Sequence, residues 1–162
     1  MDGSQKKMKD TVLKQQPMSI DSHLKEIRPP EMVLSKQKET ELTERQRSLL
    51  SGLGKLFNKG FANLTMAEIA KELNCSLRTL YSLAPSKEQL VLIVIERNLW
   101  ARGRTAMSAI SPNMQPLKAI RTYLQAANVA AANTTEAFAR DLQTVPSAQQ
   151  LIEDHNSYLI SI

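Results

Sequence analysis

Three helix-start signatures follow one another in the middle of this chain: Thr43-x-x-Gln46, Thr65-x-x-Glu68 and Ser86-x-x-Gln89. In each, a hydroxyl can accept the backbone N–H three residues on, while the longer side chain reaches back to the first residue's own N–H. Boxes this closely spaced commit the region to short helices joined by tight turns. The apolar spacing agrees. Leu49, Leu50, Leu53, Leu56 and Phe57 recur at threes and fours, an amphipathic helix weakened slightly by Gly52 and Gly54, with Gly60 as a left-handed stop. After the second box, Met66, Ile69, Ala70 and Leu73 share a face, and Asn74-Cys75-Ser76 interrupts. Leu77, Leu80, Leu83 and Ala84 trace the buried side of another short helix ending before Pro85. Leu90-Val91-Leu92-Ile93-Val94-Ile95 reads as a strand in isolation, but the third box and the following Leu99, Trp100 and Met107 predict a buried helix from Ser86 to about Met107.

Beyond Ser111-Pro112-Asn113 the helical punctuation continues. Pro116 suits a first helical position, and Leu117, Ile120, Leu124, Ala127 and Ala131 form the next stripe. Asn133-Thr134-Thr135 breaks again before a short helix over Glu136–Leu142. Thr144-Val145-Pro146 opens the last one, with Leu151, Ile152, His155, Leu159 and Ile162 along one side. No strand and no internal repeat emerges. Residues 1–40 read as a flexible, basic-leaning extension with transient helix around Ile20–Ile27. A basic arm along DNA is the sharper reading, but interspersed acidic residues favour the plainer one.

Composition removes several classes. The chain has 162 residues, a formal charge of +5 and only 4% aromatics, so its core must rest on aliphatic side chains. Its sequence pI near 9.4 suits a polyanionic partner without requiring one. The Leu90–Ile95 run is too short for a bilayer, and the charged MDGSQKKMKD start is followed by no apolar stretch, so a cytoplasmic protein without membrane partners is expected. Cys75 alone excludes an internal disulfide or a cysteine metal cluster, and reads as a small packed hydrophobe. His23 and His155 leave little for a metal or a catalytic set. No nucleophile with an adjacent base, phosphate loop or metal constellation is present, so neither enzyme nor cofactor is expected.

The informative unit is the pair of short helices around Asn74-Cys75-Ser76. A helix-turn-helix needs a small residue where its helices cross, and Ala70 is there; its turn needs a residue tolerant of left-handed geometry, and Asn74 serves. Ile69, Leu73, Cys75, Leu80 and Leu83 would weld the helices together, and Ser76 would cap the second. Leu77, Arg78, Thr79, Tyr81 and Ser82 are left towards the outside or the flanks, where a recognition helix meets the major groove. Arg78 can donate two parallel hydrogen bonds to guanine, worth about 1–3 kcal/mol of discrimination. Thr79 and Leu77 offer methyl groups to thymine, and Thr65, Tyr81 and Lys87 suit phosphate oxygens. The alternative is a helical protein-interaction module that keeps this shape without operator binding; acidic residues on the recognition surface would have favoured it.

These residues resemble a family. The stretch from Arg45 to Leu90 is similar to the DNA-binding domain of TetR-type transcriptional regulators, through Leu56-Phe57, Gly60-Phe61, Thr65, Ile69-Ala70, Ser76, Thr79-Leu80-Tyr81, Ser86-Lys87-Glu88 and Leu90. It departs where the family often has Gly, at Asn74 and Arg78, and where it often has His-Phe, at Leu83-Ala84. The resemblance implies an all-α fold: a three-helix DNA-binding head over 41–92, then a connecting helix and a partial ligand-binding and dimerisation core over 93–162. It further implies a homodimer on a palindromic double-stranded operator with half-sites roughly 34–36 Å apart. A small-molecule effector would shift the spacing of the recognition helices, most often in a repressor. Thr65, Tyr81 and Lys87 would contact phosphates, and Leu77, Arg78 and Thr79 would read bases. Trp100, Met107, Met114, Tyr123, Phe138, His155 and Tyr158 are candidates for the effector pocket, though each also suits ordinary packing. Arg97, Arg102, Arg104 and Arg121 read as solvated helix faces. The chain stops on the apolar stripe of its last helix, so a C-terminally shortened regulator, or part of a longer one, is expected.

Overall fold

The computed structural model describes residues 29–132 and 134–161. Among them are eight helices and no strand: α1 Lys36–Glu41, α2 Glu44–Phe57, α3 Met66–Glu72, α4 Leu77–Leu83, α5 Lys87–Ser108, α6 Pro116–Ala131, α7 Glu136–Leu142 and α8 Pro146–Ser161. The protein is all-α, as the sequence predicts.

The helix starts lie where the boxes put them. Thr43 N–H donates to Gln46 Oε1 at 2.9 Å and Gln46 N–H to Thr43 Oγ1 at 3.2 Å. Thr65 N–H donates to Glu68 Oε2 at 2.7 Å and receives the reciprocal bond at 3.2 Å. These bonds from Thr65 backbone and hydroxyl hold the Glu68 carboxyl below its ordinary pKa. Ser86 makes the forward contact alone, accepting Gln89 N–H at 3.2 Å.

One aliphatic core joins most of these elements. Leu49, Leu50, Leu53 and Phe57 of α2 meet Ile69 and Ala70 of α3, Leu80 and Leu83 of α4, and the first half of α5. The Leu90–Ile95 run is buried at all six positions. Its strand-like pattern is that of a helix covered on every side, which has no polar face to show. Further along, α5 packs against α6 and α8.

Two parts of the structure depart from the sequence reading. Residues from Val33 to Thr40, placed in the extension, are packed on the body: Leu34 is buried and joins the core. Val33 N–H donates to Glu96 Oε1 at 3.0 Å, and Leu34 N–H makes a longer bond to Glu96 Oε2. Arg97 Nη1 bonds both oxygens of Glu39, at 2.6 and 2.8 Å. Because α1 is six residues long and buries none of them, it has no apolar period to betray it; partners about sixty positions away hold the segment. Residues 1–28, including the expected transient helix, lie outside the described residues. The second departure is α6. Leu117, Ile120 and Leu124 of its stripe are exposed. Ala127 and Ala131 of the stripe are half-buried, as are Ala119, Thr122, Ala126 and Ala130, spaced at threes and fours. Small side chains let two helix axes approach closely, which the leucines would prevent.

Candidate nucleic-acid interface

The turn between α3 and α4 is built by the backbone. Cys75 N–H bonds Ala70 O at 2.9 Å and Asn74 N–H bonds Lys71 O at 3.1 Å, the paired closure that satisfies the last carbonyls of a helix. It requires a left-handed residue after the C-cap, and Asn74 has φ +48°. Ala70 is buried at the crossing, as the sequence demands of a small residue there. Ser76 Oγ accepts Thr79 N–H at 3.0 Å and starts α4. From α2, Arg45 Nη2 bonds Asn74 O at 2.9 Å and Gln46 Nε2 reaches Ser82 Oγ at 3.4 Å. Neither contact is legible from spacing along the chain.

The α4 helix divides cleanly. Leu80 and Leu83 are buried, while Leu77, Arg78, Tyr81 and Ser82 are exposed and Thr79 is half-buried. Leu77 is 43% exposed and Tyr81 51%, both large apolar bodies without cover. Thr79 is held by Ser76, with 2.8 Å between their hydroxyls, so its methyl direction is set by the cap. Thr65 is exposed at the start of α3. Lys87, the remaining candidate, sits elsewhere than on an open surface: its ammonium donates to Ala62 O at 2.8 Å and Phe61 O at 3.3 Å.

Those carbonyls belong to a loop clamped from both sides. Asp141, from α7, accepts Phe61 N–H at 2.6 Å and Ala62 N–H at 2.9 Å on the same carboxylate oxygen. The two amides hold the Asp141 carboxyl below its ordinary pKa, the Ala62 bond foremost and the neighbouring Arg140 assisting. Thr135 donates to Asn58 O, and Phe138 packs edge-on against Phe61 with ring centroids 5.7 Å apart. Gly60 precedes the loop at φ +104°, the left-handed stop expected of it, and a Cβ there would lie 3.1 Å from Asp141 Oδ2. The segment leading into Thr65 is therefore held by residues from beyond position 130. Sequence reasoning missed Asp141, which reads as an ordinary acid on a short helix.

The candidate effector residues do not converge on one place. Trp100, His155 and Tyr158 meet: the Trp100 ring stands edge-on to His155 at 5.1 Å and tilted to Tyr158 at 6.1 Å. Burial pushes the His155 pKa down and keeps the ring neutral. Phe138 belongs to the core at Phe61, Met107 is exposed, and Tyr123 and Met114 are half-buried. Of the arginines expected on solvated faces, Arg97 binds Glu39 and Arg102 is half-buried, donating to Thr134; burial lowers the Arg102 pKa. Among the described residues no helix is long and apolar enough to cross a membrane, and no group of three potential metal ligands gathers.

No curated protein and no solved structure gives a significant match to this chain. A family model does match part of it. Residues 49–94 fit the model described as "Bacterial regulatory proteins, tetR family", from Leu49 in α2 to Val94 in α5 and across the turn between α3 and α4, so this part of the chain is a TetR-type helix-turn-helix domain of the kind found in DNA-binding transcriptional regulators.

Proposed function

We propose that the protein is a ligand-responsive transcriptional repressor that binds a palindromic operator as a homodimer. The observation that carries this is the exposed face of α4. Leu77, Arg78, Tyr81 and Ser82 stand clear of a helix whose opposite side is locked into the core by Leu80 and Leu83. A rigid helix presenting the Arg78 guanidinium and the Tyr81 hydroxyl suits base and phosphate contacts. Leu77, Arg78 and Thr79 are assigned to base reading; Thr65, Ser76, Tyr81 and Ser82 to backbone positioning. Lys87 is assigned to phosphate, with its anchorage on Phe61 and Ala62 setting where its charge lies. Dimerisation is supported by the uncovered Leu117, Ile120 and Leu124 on α6, a face that a second copy can bury.

Salt-dependent gel shifts with DNA from upstream of the protein's own gene test the proposal. Arg78→Ala should narrow the gap between the preferred site and unrelated DNA by about 1–3 kcal/mol. Lys87→Ala should weaken all sites alike and reduce the salt slope. No preference for any upstream sequence at low salt would instead support a protein-interaction module on the same scaffold.

A further inference from the structure

A groove runs along the surface where α2 and α5 meet, and it is large enough for a small molecule. It has a volume of about 1040 Å³, at the top of the range usual for such sites, roughly 300–1,000 Å³. Val94, Arg97, Ala101 and Arg104 line it from one face of α5, at spacings of three and four. Leu50, Gly54 and Lys55 line it from α2, and the Pro29–Glu39 segment forms the third wall. Trp100 and Tyr158 give it an aromatic end, and the Trp100 ring is also edge-on to His155.

Its charges favour an anion. Four cations line it, Lys36, Lys55, Arg97 and Arg104, against three carboxylates, Glu31, Glu39 and Glu96. Glu39 is paired with Arg97, and Glu96 faces the Val33 and Leu34 amides. With the Arg97–Glu39 pair set aside, Lys36, Lys55 and Arg104, all exposed, stand against Glu31 and the buried Glu96, so the cations are in excess by one. Gly54 marks the open part of the α2 wall. A glycine inside a helix costs about 1 kcal/mol relative to alanine. At Gly52 the neighbouring Leu73 occupies the space, 2.9 Å from where a Cβ would be, but at Gly54 a Cβ would meet nothing within 4 Å. Neither packing nor a left-handed backbone calls for glycine at position 54, where the α2 wall of the groove has room for a larger side chain.

We propose that this groove binds an amphipathic anion, an aromatic or aliphatic body bearing one acidic group. Its body would lie against Trp100 and Tyr158, and its charge near Arg104 and Lys55. The proposal rests on the ligand-responsive reading above and gives it a place: an occupant touches α2 and α5 together, so its affinity differs between states in which the head and connecting helix sit differently.

Trp100 is the chain's single tryptophan, so its emission reports occupancy directly. The probes are anilinonaphthalene sulfonate and phenylnaphthylamine, which share an aromatic body and differ in the sulfonate. The sulfonate should quench Trp100 and bind the more tightly. Arg104→Glu combined with Lys55→Glu should weaken the sulfonate about tenfold and leave the neutral dye within about twofold. Gly54→Leu should weaken both about tenfold while the thermal unfolding midpoint holds or rises. Equal binding of the two dyes, indifferent to the charge reversals, would overturn the proposal and make the groove an apolar partner-docking face. Unchanged binding of both to Gly54→Leu would also overturn it. Operator binding is not read in this experiment, so its failure and failure of the regulatory reading are distinguishable.

Discussion

Replacing Asp141 with alanine removes the acceptor shared by two backbone donors. Phe61 is 1% exposed, so its amide has no route to water, whereas Ala62 is exposed and can turn to solvent. A buried donor left unpaired costs about 1–3 kcal/mol, and bonds to a charged acceptor lie toward the upper end. The expected loss for Asp141→Ala is therefore about 2–3 kcal/mol, which lowers the unfolding midpoint by roughly 4–12 °C in a chain of this size. Asp141→Asn keeps a neutral acceptor and should lose about half as much. Urea denaturation followed by circular dichroism gives both values. The pH dependence adds a second constraint. Because the carboxyl is held below its ordinary pKa, its contribution is complete above the unfolded value of about 3.9 and disappears as pH falls through the folded one. The gap between parent and Asp141→Ala should be constant from about pH 8 to 5 and close below about pH 4. A variant within about 0.5 kcal/mol of the parent at neutral pH, or a gap undiminished at pH 3, would refute the reasoning.

Other substitutions have defined signs. Gly60→Ala forces a side chain into the left-handed region and towards Asp141 Oδ2, and should cost about 1–2 kcal/mol in the same urea assay. Burial raises the Glu96 pKa despite the Val33 and Leu34 amides. Its favourable linkage is thus present at acidic pH and lost as pH rises through the folded value, so Glu96→Gln should gain on the parent between pH 5 and pH 8 in urea midpoints. For His155, burial favours the neutral ring, so stability is present above the unfolded pKa of about 6.5 and falls as pH drops through it. His155→Leu should flatten the pH dependence of the melting temperature between about pH 7 and 5; an unaltered slope would place the titration elsewhere.

What the sequence discloses about this fold is local. Thr43, Thr65 and Ser86 announce helix starts because a cap needs only the next three residues. Gly60 and Asn74 announce left-handed turns because few other residues tolerate them. Contacts between distant positions leave no such signature. Asp141 and Glu96 each hold two backbone amides more than sixty positions away, yet one reads as an ordinary helix acid and the other as the polar end of an apolar run. The stripe on α6 shows the limit of periodicity: Leu117, Ile120 and Leu124 do share a face, but the pattern does not say which face a neighbour will take. At the interface, the exposure of Arg78 and Tyr81 follows from the burial of Leu80 and Leu83. The inward turn of Lys87 depends on the path of a loop 25 residues earlier.

The clamp on that loop also bears on the order in which a newly made chain becomes complete. Phe61 emerges from the ribosome 80 residues before Asp141 does. At about 5–20 residues per second the interval is roughly 4–16 s. Through that time the three helices of the head can collapse on one another, because their contacts are short-range. The stretch ahead of Thr65 meanwhile has its amides turned to water and lacks Phe138 against Phe61. Synthesis thus imposes a delay between a head that is folded and one whose approach to α3 is set.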